Sequence, residues 1–298
     1  MTNLENTVVV GVDGSEASYG AVAYAAHTAA SRNVPLLIIS SYSIPASLFA
    51  EGMVPPKPVY DELEAECGPI VERGVETARR VAPEITVDSA IIEGNPAQIL
   101  IEYSKKAKII VVGSRGLGGI KGMVLGSVSA SVASHSFSPV VVTRTDTDDP
   151  KVGGPVVVGI DGSETSAKAT EWAFSEASFR NTNLVALHTW MDPQVQAAAA
   201  GIALSEDDWQ QLETQQHGTL SERLAGFSSR YPDVDVERVV TRDRAVRALV
   251  EQSQDAQLVV VGSHGRGGFA GMVLGSTSRA LLQAAPCPVM VVRPQIHD

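Results

Sequence analysis

Cysteine, aromatic residues and basic charge are all scarce in this chain of 298 residues. Its two cysteines, Cys67 and Cys287, cannot form a disulfide framework and belong to no C-x-x-C pair or His/Cys cluster. We therefore expect neither a secreted fold held by disulfides nor a structural metal site. A location in the reducing cytoplasm is expected instead. Because aromatics make up only 5% of the residues, Ala, Val, Ile and Leu must form most of the core.

Basic residues are outnumbered, since 23 Lys and Arg against 34 Asp and Glu give a formal net charge of −11. A field of this sign repels polyanions, so we expect no nucleic-acid partner. Long apolar runs are also missing, and none approaches the ~18 residues that a membrane helix needs. The N-terminus lacks the basic and apolar regions of a signal peptide, so we expect neither export nor a membrane span.

What the sequence does contain is a repeat of itself. Residues 8–42 align without a gap to residues 156–190, and the glycine-rich blocks at 113–127 return at 262–276. This period is too long for a solenoid unit, so a whole domain is duplicated. A polar stretch with Pro and Gly separates the copies. It predicts a first domain at residues 1–146, a linker at 147–153 and a second domain at 154–298.

Short β-branched runs alternate with longer helical stretches in each copy. The predicted strands are residues 7–12, 36–41, 85–92, 109–112 and 139–143, then 155–160, 184–189, 234–241, 258–261 and 288–292. The predicted helices are residues 15–31, 60–81, 96–106 and 127–136, then 164–180, 206–230, 245–255 and 276–285. Because the strand runs are continuously apolar and the crossovers are long, we predict two α/β domains, each a five-stranded parallel sheet with helices on both faces.

Ligands of open parallel sheets bind beyond the carboxyl ends of the strands, so the loops after strands one and four are the first candidates. Glycines there permit positive φ and close approach of a ligand, and a Gly-Ser pair opens the following helix, whose N–H groups favour phosphate. The candidates of the first copy are Gly11, Asp13, Gly113, Ser114, Arg115, Gly116, Leu117, Gly118, Gly119, Lys121, Gly126 and Ser127. Those of the second copy are Gly159, Asp161, Gly262, Ser263, His264, Gly265, Arg266, Gly267, Gly268, Gly275 and Ser276.

Each of these residue types has a plainer explanation as well. The glycines could serve only tight turns, and Ser127 could be an ordinary helix cap. Asp13 and Asp161 could accept hydrogen bonds from a ribose or hold a phosphate-bound magnesium ion, or they could only order the turn before a helix. The dinucleotide fingerprint G-x-G-x-x-G and the P-loop are both absent, because the third glycine and the Gly-Lys-Ser/Thr sequence are missing.

The spacing Gly113-x2-Gly116-x9-Gly126-Ser127, repeated from Gly262 to Ser276, resembles the motif G-x2-G-x9-G-S/T of ATP-binding universal stress proteins. The resemblance covers nearly the whole chain twice, and the tandem layout is similar to that of the actinobacterial branch. It implies a Rossmann-like, adenine nucleotide alpha hydrolase-like fold with strands in the order 3-2-1-4-5. It also implies ATP, with magnesium, as the bound cofactor.

By the same resemblance, adenine would lie near Ser41-Tyr42 and Thr189-Trp190. Ribose and phosphates would lie on the glycine loops and on the helix starts at Ser127-Val128 and Ser276-Thr277. The second copy departs from the pattern where residues 242–245 replace the Gly94-x-Pro96 turn, which puts the geometry of that turn in question. His264 in place of Arg115 is expected to make the charge of the second site sensitive to pH.

The resemblance implies a nucleotide-dependent regulator in stress adaptation and growth control, acting on a protein partner that the sequence does not identify. No nucleophile, base or charge clamp for fast hydrolysis is evident, so we assign no catalytic residue. The alternatives are a slow ATPase or nucleotidyl-transferring enzyme that uses the same loops, and a pure interaction module. The closing strands would be sheet edges, from which we predict an internal pseudo-dimer and allow for a homodimer.

Overall fold

The computed structural model describes residues 4–44, 56–116, 125–144, 153–190, 205–265 and 274–294. The chain divides into two compact units between residues 151 and 152. The N-terminal one is called unit 1 and the C-terminal one unit 2. Within the described residues, no helix has the length and apolar character needed to cross a membrane.

Unit 1 is a parallel sheet with strands in the order β3-β2-β1-β4-β5. Its strands are β1 (Val8–Gly11), β2 (Leu36–Tyr42), β3 (Val87–Glu93), β4 (Ile109–Gly113) and β5 (Val140–Thr143). Its helices are α1 (Glu16–Arg32), α2 (Lys57–Val81), α3 (Pro96–Tyr103) and α4 (Ser127–His135). α1 packs against α2 and α3 packs against α4, which gives one helix pair for each face of the sheet.

Unit 2 repeats this arrangement with strands in the order β8-β7-β6-β9-β10, again all parallel. Its strands are β6 (Val156–Gly159), β7 (Leu184–Thr189), β8 (Val236–Thr241), β9 (Leu258–Gly262) and β10 (Val289–Val292). Its helices are α5 (Glu164–Arg180), α6 (Glu206–Arg230), α7 (Ala245–Gln252) and α8 (Ser276–Ala284). The predicted strand order and fold class are confirmed in both units.

The core lies where the central strands pass between the helix layers. Val8, Val9 and Val10 of β1 and Ile109 and Ile110 of β4 are fully buried. Burying a side chain of this size contributes about 1.5–3 kcal/mol, so a few such strands account for much of the stability of each unit. Both cysteines are buried, and neither forms a disulfide bond.

The third strand of each unit departs from the expected continuous burial. Every residue of β3 and of β8 is partly or fully exposed. These strands stand at the end of the strand order, and the polar side chains of Asp88 and Ser89 or of Glu237 and Arg238 occupy them. The expectation of a continuously apolar strand is therefore wrong for β3 and β8, which carry polar side chains at the ends of the strand order.

The turn between the first strand and the first helix is built identically in the two units. Ser15 caps α1, with its Oγ accepting a hydrogen bond from the Ser18 amide at 3.2 Å, and Asn33 ends the helix at a φ of 51°. Ser163 and Asn181 do the same for α5, with distances and angles that nearly match. Ser and Asn are the residue types favoured at these two helix ends. The local sequence thus fixes the loop that carries Asp13 or Asp161.

Candidate functional site

Each unit contains one cavity at the carboxyl ends of its first and fourth strands. In unit 1 the cavity measures about 420 Å³, and in unit 2 about 390 Å³. β1 lies between β2 and β4, so the chain leaves β1 towards one side and later returns on the other. This is the switch point at which open parallel sheets bind ligands. The location predicted from the loops is therefore a real concavity in both units.

The floor of the cavity is the beginning of the fourth helix. The Gly126 amide donates to the Ser114 carbonyl at 2.7 Å, and the Ser129 hydroxyl donates to the same carbonyl at 3.2 Å. In unit 2 the Gly275 amide donates to the Ser263 carbonyl at 2.7 Å. These bonds hold the start of α4 or α8 against the end of the fourth strand. The first N–H groups of a helix have no intrahelical acceptor, so Ser127 and Val128, which line the cavity, bring donors to it.

The glycines of the repeated motif are required for different reasons at different positions. A Cβ on Gly113 would lie 2.8 Å from the Ala17 carbonyl oxygen, so this glycine is required by the packing of α1. A Cβ on Gly116 would instead meet the Oδ2 atom of Asp13, inside the cavity. The equivalent Cβ on Gly265 would meet Oδ2 of Asp161. Only the second glycine of each motif therefore keeps space open at the site itself.

Asp13 and Asp161 order the turns before the first helices and also line the cavities. Oδ1 of Asp13 accepts hydrogen bonds from the amide and the hydroxyl of Ser15, at 3.1 and 2.6 Å, and so orders the turn into α1. Asp161 binds Ser163 in the same way, at 2.9 and 2.7 Å. The other carboxylate oxygen faces the second glycine of the motif across the cavity. Each carboxylate is thus oriented by its turn and lines the cavity at the same time.

Most of the candidate residues that the structure describes line the two cavities. In unit 1 these are Gly11, Asp13, Ser41, Gly113, Arg115, Gly116, Gly126, Ser127 and Val128. In unit 2 they are Gly159, Asp161, Thr189, Gly262, His264, Gly265, Gly275, Ser276 and Thr277. The remaining loop candidates lie outside the described residues; they are Leu117, Gly118, Gly119, Lys121, Arg266, Gly267 and Gly268.

Two candidates lie beneath the cavity instead of at its surface. Ser114 and Ser263 are 2% and 0% exposed, and neither lines the cavity formed by the described residues. Their carbonyls hold the helix start, as described above, so these residues support the loop by their backbone. Tyr42 and Trp190 are likewise absent from the described linings. Trp190 packs against Trp209, with their ring centroids 6.1 Å apart. The Arg242 guanidinium stacks on the Trp209 ring, 4.5 Å from its centroid.

The third helix supplies a wall that the sequence reasoning did not assign to the site. Pro96 and Leu100 of α3 line the cavity of unit 1, and Ala245 and Leu249 of α7 line that of unit 2. Ser18 with Ser129, and Ser166 with Ser278, were missed as well. Ser18 corresponds to Ser166 and Ser129 to Ser278, so the repeat itself carried a signal that could have identified these two positions.

The residue at the cap position of this helix keeps its backbone conformation although the sequence changes. Asn95 caps α3, with its side-chain oxygen accepting from the amides of Ala97 and Gln98 at 3.0 and 3.2 Å. Arg244 occupies the cap position of α7 and makes no such side-chain bond. Both residues are extended, and both helices begin at the next residue. The altered residues 242–245 therefore remove a cap without moving the helix.

A second cation approaches the fourth-strand loop from the last strand. The Ser114 amide donates to the Thr143 carbonyl at 2.8 Å, which places Arg144 beside Ser114, one residue before Arg115. The Ser263 amide donates to the Val292 carbonyl at 2.7 Å, which places Arg293 beside Ser263, one residue before His264. Burial lowers the pKa of Arg144, and the nearby charge of Arg115 lowers it further. Sequence analysis did not include Arg144 or Arg293, because the pairing of strands is not visible in one strand alone.

His264 is the residue at which the two cavities differ most in charge. Burial lowers its pKa from the ordinary value of 6.5, and the charge of Arg293 lowers it further. Its Nδ1 atom lies 2.9 Å from the Ser263 hydroxyl. A lowered pKa favours the neutral form of His264, and the sensitivity of the second site's charge to pH stays a prediction.

Comparison with known proteins agrees with this architecture. The model of the universal stress protein family matches residues 6–144 and again residues 154–293. Two universal stress proteins of Mycobacterium tuberculosis are 41% and 40% identical to the chain, over 97% and 96% of both partners. The crystal structure of a universal stress protein from Archaeoglobus fulgidus matches the fold with a TM-score of 0.68 at 20% identity, covering 97% of this chain and 98% of that one.

Two parallel α/β units, each with a glycine-lined cavity at its switch point, define a tandem protein of the Rossmann-like class. With two matches to the family model that together span most of its length, the chain belongs to the universal stress protein family. Its relatives in Mycobacterium tuberculosis align with it from one unit through the other.

Proposed function

We propose that this protein binds ATP in each of its two cavities and acts as a nucleotide-dependent regulator in stress adaptation and growth control. The observation that carries the proposal is the duplication of one complete site. In both units a helix start, a carboxylate and a glycine that faces this carboxylate meet at one switch point. A helix N-terminus with glycine beside it is a common binding site for phosphate.

The size and the lining of the cavities fit a nucleotide. Volumes of about 420 and 390 Å³ lie within the range of sites for small ligands. Ile39, Leu100 and Val112 provide an apolar wall in unit 1, and Leu187, Leu249 and Val261 provide one in unit 2. The base would lie against this wall near Ser41 or Thr189, and the phosphates would lie on the helix start.

Magnesium would enter together with the phosphates. No group of three or more His, Cys, Asp or Glu side chains suited to a metal ion occurs among the residues that the structure describes. Mg²⁺ usually binds proteins through one or two carboxylates plus substrate phosphates and water. Asp13 and Asp161 are the only carboxylates among the described residues of the linings, so each would be the protein ligand of its cavity.

The same linings favour binding over rapid turnover. Fast phosphoryl transfer needs a group that positions the attacking water and a charge clamp on the leaving phosphates. In the described part of each cavity, the one carboxylate already accepts two hydrogen bonds from a serine of its own turn. We therefore expect nucleotide occupancy to be the signal, read by a protein partner, with ATP hydrolysed slowly at most.

The proposal is tested on the full chain purified without added nucleotide. Acid extraction should release adenine nucleotide, identified by mass spectrometry, and calorimetry on the stripped protein should find two sites for ATP. The double variant Gly116→Glu with Gly265→Glu should bind at neither site. Gly68→Glu with Gly226→Glu is the matched control, because a Cβ at these positions in α2 and α6 meets no atom within 4 Å.

Two results would overturn the proposal. If the stripped wild type binds no adenine nucleotide, or if the double variant binds it as well as the control does, the cavities are not nucleotide sites. Phosphate release at rates typical of enzymes, abolished by Asp13→Ala together with Asp161→Ala, would instead favour the alternative in which the protein is an ATPase. That result would replace the regulatory role with a catalytic one.

A further inference from the structure

His188 is a buried histidine that belongs to neither of the described cavity linings. It lies in β7 between Leu187 and Thr189, which both line the cavity of unit 2. Because successive side chains of a strand point to opposite faces, the imidazole of His188 points away from that cavity. It is 3% exposed, and a buried polar group of this kind needs hydrogen-bond partners inside the protein.

The two ring nitrogens of His188 bind two different elements of unit 2. Nδ1 lies 2.6 Å from the carbonyl oxygen of Ile160, and Nε2 lies 3.1 Å from the side-chain oxygen of Gln216 on α6. A carbonyl oxygen can only accept, so Nδ1 carries a hydrogen and donates it to Ile160. The Gln216 amide has a donor and an acceptor, so it can bind Nε2 with or without a hydrogen. The imidazole therefore connects α6 with the loop after β6.

The carbonyl that His188 binds belongs to the peptide unit that leads into Asp161. This carbonyl and the Asp161 amide lie in one plane, since a peptide bond is planar. The Asp161 amide donates to the Ser166 hydroxyl at 3.1 Å, and the Ile160 amide donates to the Leu187 carbonyl at 2.8 Å. Ile160, Asp161 and Ser166 all line the cavity. A rotation of this peptide unit would therefore move the cavity wall and the start of the carboxylate residue together.

Unit 1 has different residues at the two ends of this connection. Ser40 occupies in β2 the position that His188 occupies in β7, and it is buried as well. Cys67 lies ten residues after the start of α2, as Gln216 lies ten residues after the start of α6. A serine side chain is shorter than a histidine side chain, and a thiol is a weak hydrogen-bonding group. We therefore expect no equivalent bridge from α2 to the first cavity.

We propose that His188 is a positioning residue of the second cavity, which holds the peptide before Asp161 in its nucleotide-binding orientation by bridging Ile160 and Gln216. The inference rests on the proposed function. It makes the nucleotide affinity of unit 2 depend on α6, because Gln216 is half-buried on this helix and is not among the described lining residues. A change on α6 is transmitted to the second cavity in this way, whereas we expect no such dependence of the first cavity on α2.

The first test removes the imidazole from a protein in which unit 2 is the working site. In the Gly116→Glu background, calorimetry on the full chain measures the Kd of ATP. His188→Leu should raise this Kd about tenfold, the effect of one lost hydrogen bond to a buried carbonyl. His188→Asn should keep it within about threefold of the background, because the asparagine amide nitrogen is as many bonds from Cα as Nδ1 and can donate.

Two controls show that the effect is local. His217→Leu removes an imidazole from the exposed residue next to Gln216 and should leave the Kd of unit 2 unchanged, because His217 is not among the described lining residues. In the Gly265→Glu background, where unit 1 is the working site, His188→Leu should leave the Kd of ATP unchanged. If His188 only stabilised the fold, folded His188→Leu would bind ATP in unit 2 as the background does.

A second test measures the connection through Gln216 and does not depend on the folding of His188→Leu alone. In the Gly116→Glu background, Gln216→Leu should raise the Kd of ATP about threefold, since it frees Nε2 from its partner. The same change should have no further effect when His188→Asn is present, because asparagine does not reach α6. Independent effects of the two substitutions on the Kd would contradict a bridge between them.

A spectroscopic measurement tests the bridge in the wild type. Nitrogen NMR of protein with labelled histidine should show a hydrogen on Nδ1 of His188, assigned by the loss of its signal in His188→Asn. Saturation with ATP should shift this signal in the wild type and in Gly116→Glu, and should leave it in place in Gly265→Glu. A bare Nδ1, or a signal that ATP does not shift in Gly116→Glu, would overturn the inference.

The outcomes separate the inference from the function on which it rests. An unchanged Kd in folded His188→Leu, or a failure of His188→Asn to keep the affinity, overturns the positioning role and leaves both nucleotide sites in place. Absence of adenine nucleotide binding in the wild type overturns the proposed function and the inference with it.

Discussion

Units 1 and 2 have the same glycine framework around their cavities and different side chains at the rim. Gly116 and Gly265 each face a carboxylate oxygen, and Gly113 and Gly262 each pack against the first helix. Arg115 and His264, by contrast, exchange a fixed charge for a titratable one. The glycines are fixed because neighbouring atoms lie so close that any side chain would clash with them. A position at the rim, by contrast, can change its chemistry without altering the fold.

The opposite end of each sheet shows a second contrast. In unit 2, Glu176 and Arg180 form a buried ion pair at 2.8 Å, and Arg180 also binds Gln257 at 3.0 Å. The aligned residues of unit 1 are Thr28, Arg32 and Lys108. There, burial lowers the pKa of Lys108, and the charge of Arg32 lowers it further. One unit pairs its buried arginine with a carboxylate at this position, and the other places a second cation near it.

The largest expected effect breaks the symmetry of the two sites. Gly116→Glu should reduce ATP stoichiometry from two to one, with an affinity loss of at least about a hundredfold in unit 1, because its side chain meets Asp13 and adds a like charge. Gly265→Glu should do the same in unit 2. Calorimetry measures both, and Gly68→Glu serves as the control for folding and net charge. Two unchanged sites in Gly116→Glu would contradict the assignment.

The second prediction concerns the buried ion pair of Glu176 and Arg180 in unit 2. Glu176→Ala should destabilise unit 2 by about 3–5 kcal/mol, since it leaves the buried Arg180 guanidinium without its carboxylate. Trp172, Trp190 and Trp209 all lie in unit 2, so tryptophan fluorescence in a urea titration follows this unit alone. The matched control is Glu171→Ala on the same helix, whose exposed pair with Arg230 is worth about 0–1 kcal/mol. Equal shifts for the two variants would refute the prediction.

A third prediction makes unit 2 resemble unit 1 at the start of its third helix. Arg244→Asn should stabilise unit 2 by about 1 kcal/mol, because it installs the side-chain cap that Asn95 provides to α3. The fluorescence-detected urea midpoint should rise. Arg247→Asn, inside the same helix, offers no cap and should not raise it. If Arg244→Asn leaves the midpoint in place, the backbone of the two turns differs more than their angles indicate.

The smallest effect is the dependence of unit 2 stability on pH through His264. Its pKa is lower in the folded protein than the ordinary value of 6.5, mainly by burial. The unfolded chain therefore takes up a proton first, and this contribution to stability is present above 6.5 and is lost as the pH falls towards the folded pKa. Between pH 7.5 and 5.5, His264→Asn should lose less stability than the wild type in fluorescence-detected unfolding. Parallel curves for the two proteins would rule out this linkage.

Much of the fold could be predicted because its signals are local. Ser15, Asn33 and the apolar run Val8–Val10 each specify their own conformation through a cap, a left-handed residue and β-branched side chains. The repeat then allowed every assignment to be checked against a second copy. The burial of the edge strands β3 and β8 was overestimated, because the sequence of a strand does not show how many neighbouring strands it will have.

The sites could be predicted only in part for the same physical reason. Glycines and a Gly-Ser helix start are visible in one segment, whereas Leu100 and Ser18 reach the cavity from elements whose relative positions the sequence does not state. Ser114 shows the converse, because it lies in the right loop yet is buried below the surface of the cavity. A motif identifies residues that are close in sequence, whereas a site is formed by residues that are close in space.

By itself the sequence determined the duplication, the alternation of strands and helices, and the loops that bear the candidate site, since these depend on residue types and their spacing. Only the tertiary structure decided that Gly116 faces Asp13, that α3 forms a wall and that Arg144 stands beside Ser114. These contacts arise from strand register and helix packing. Both are set by the burial of side chains far apart in sequence, which no local pattern encodes.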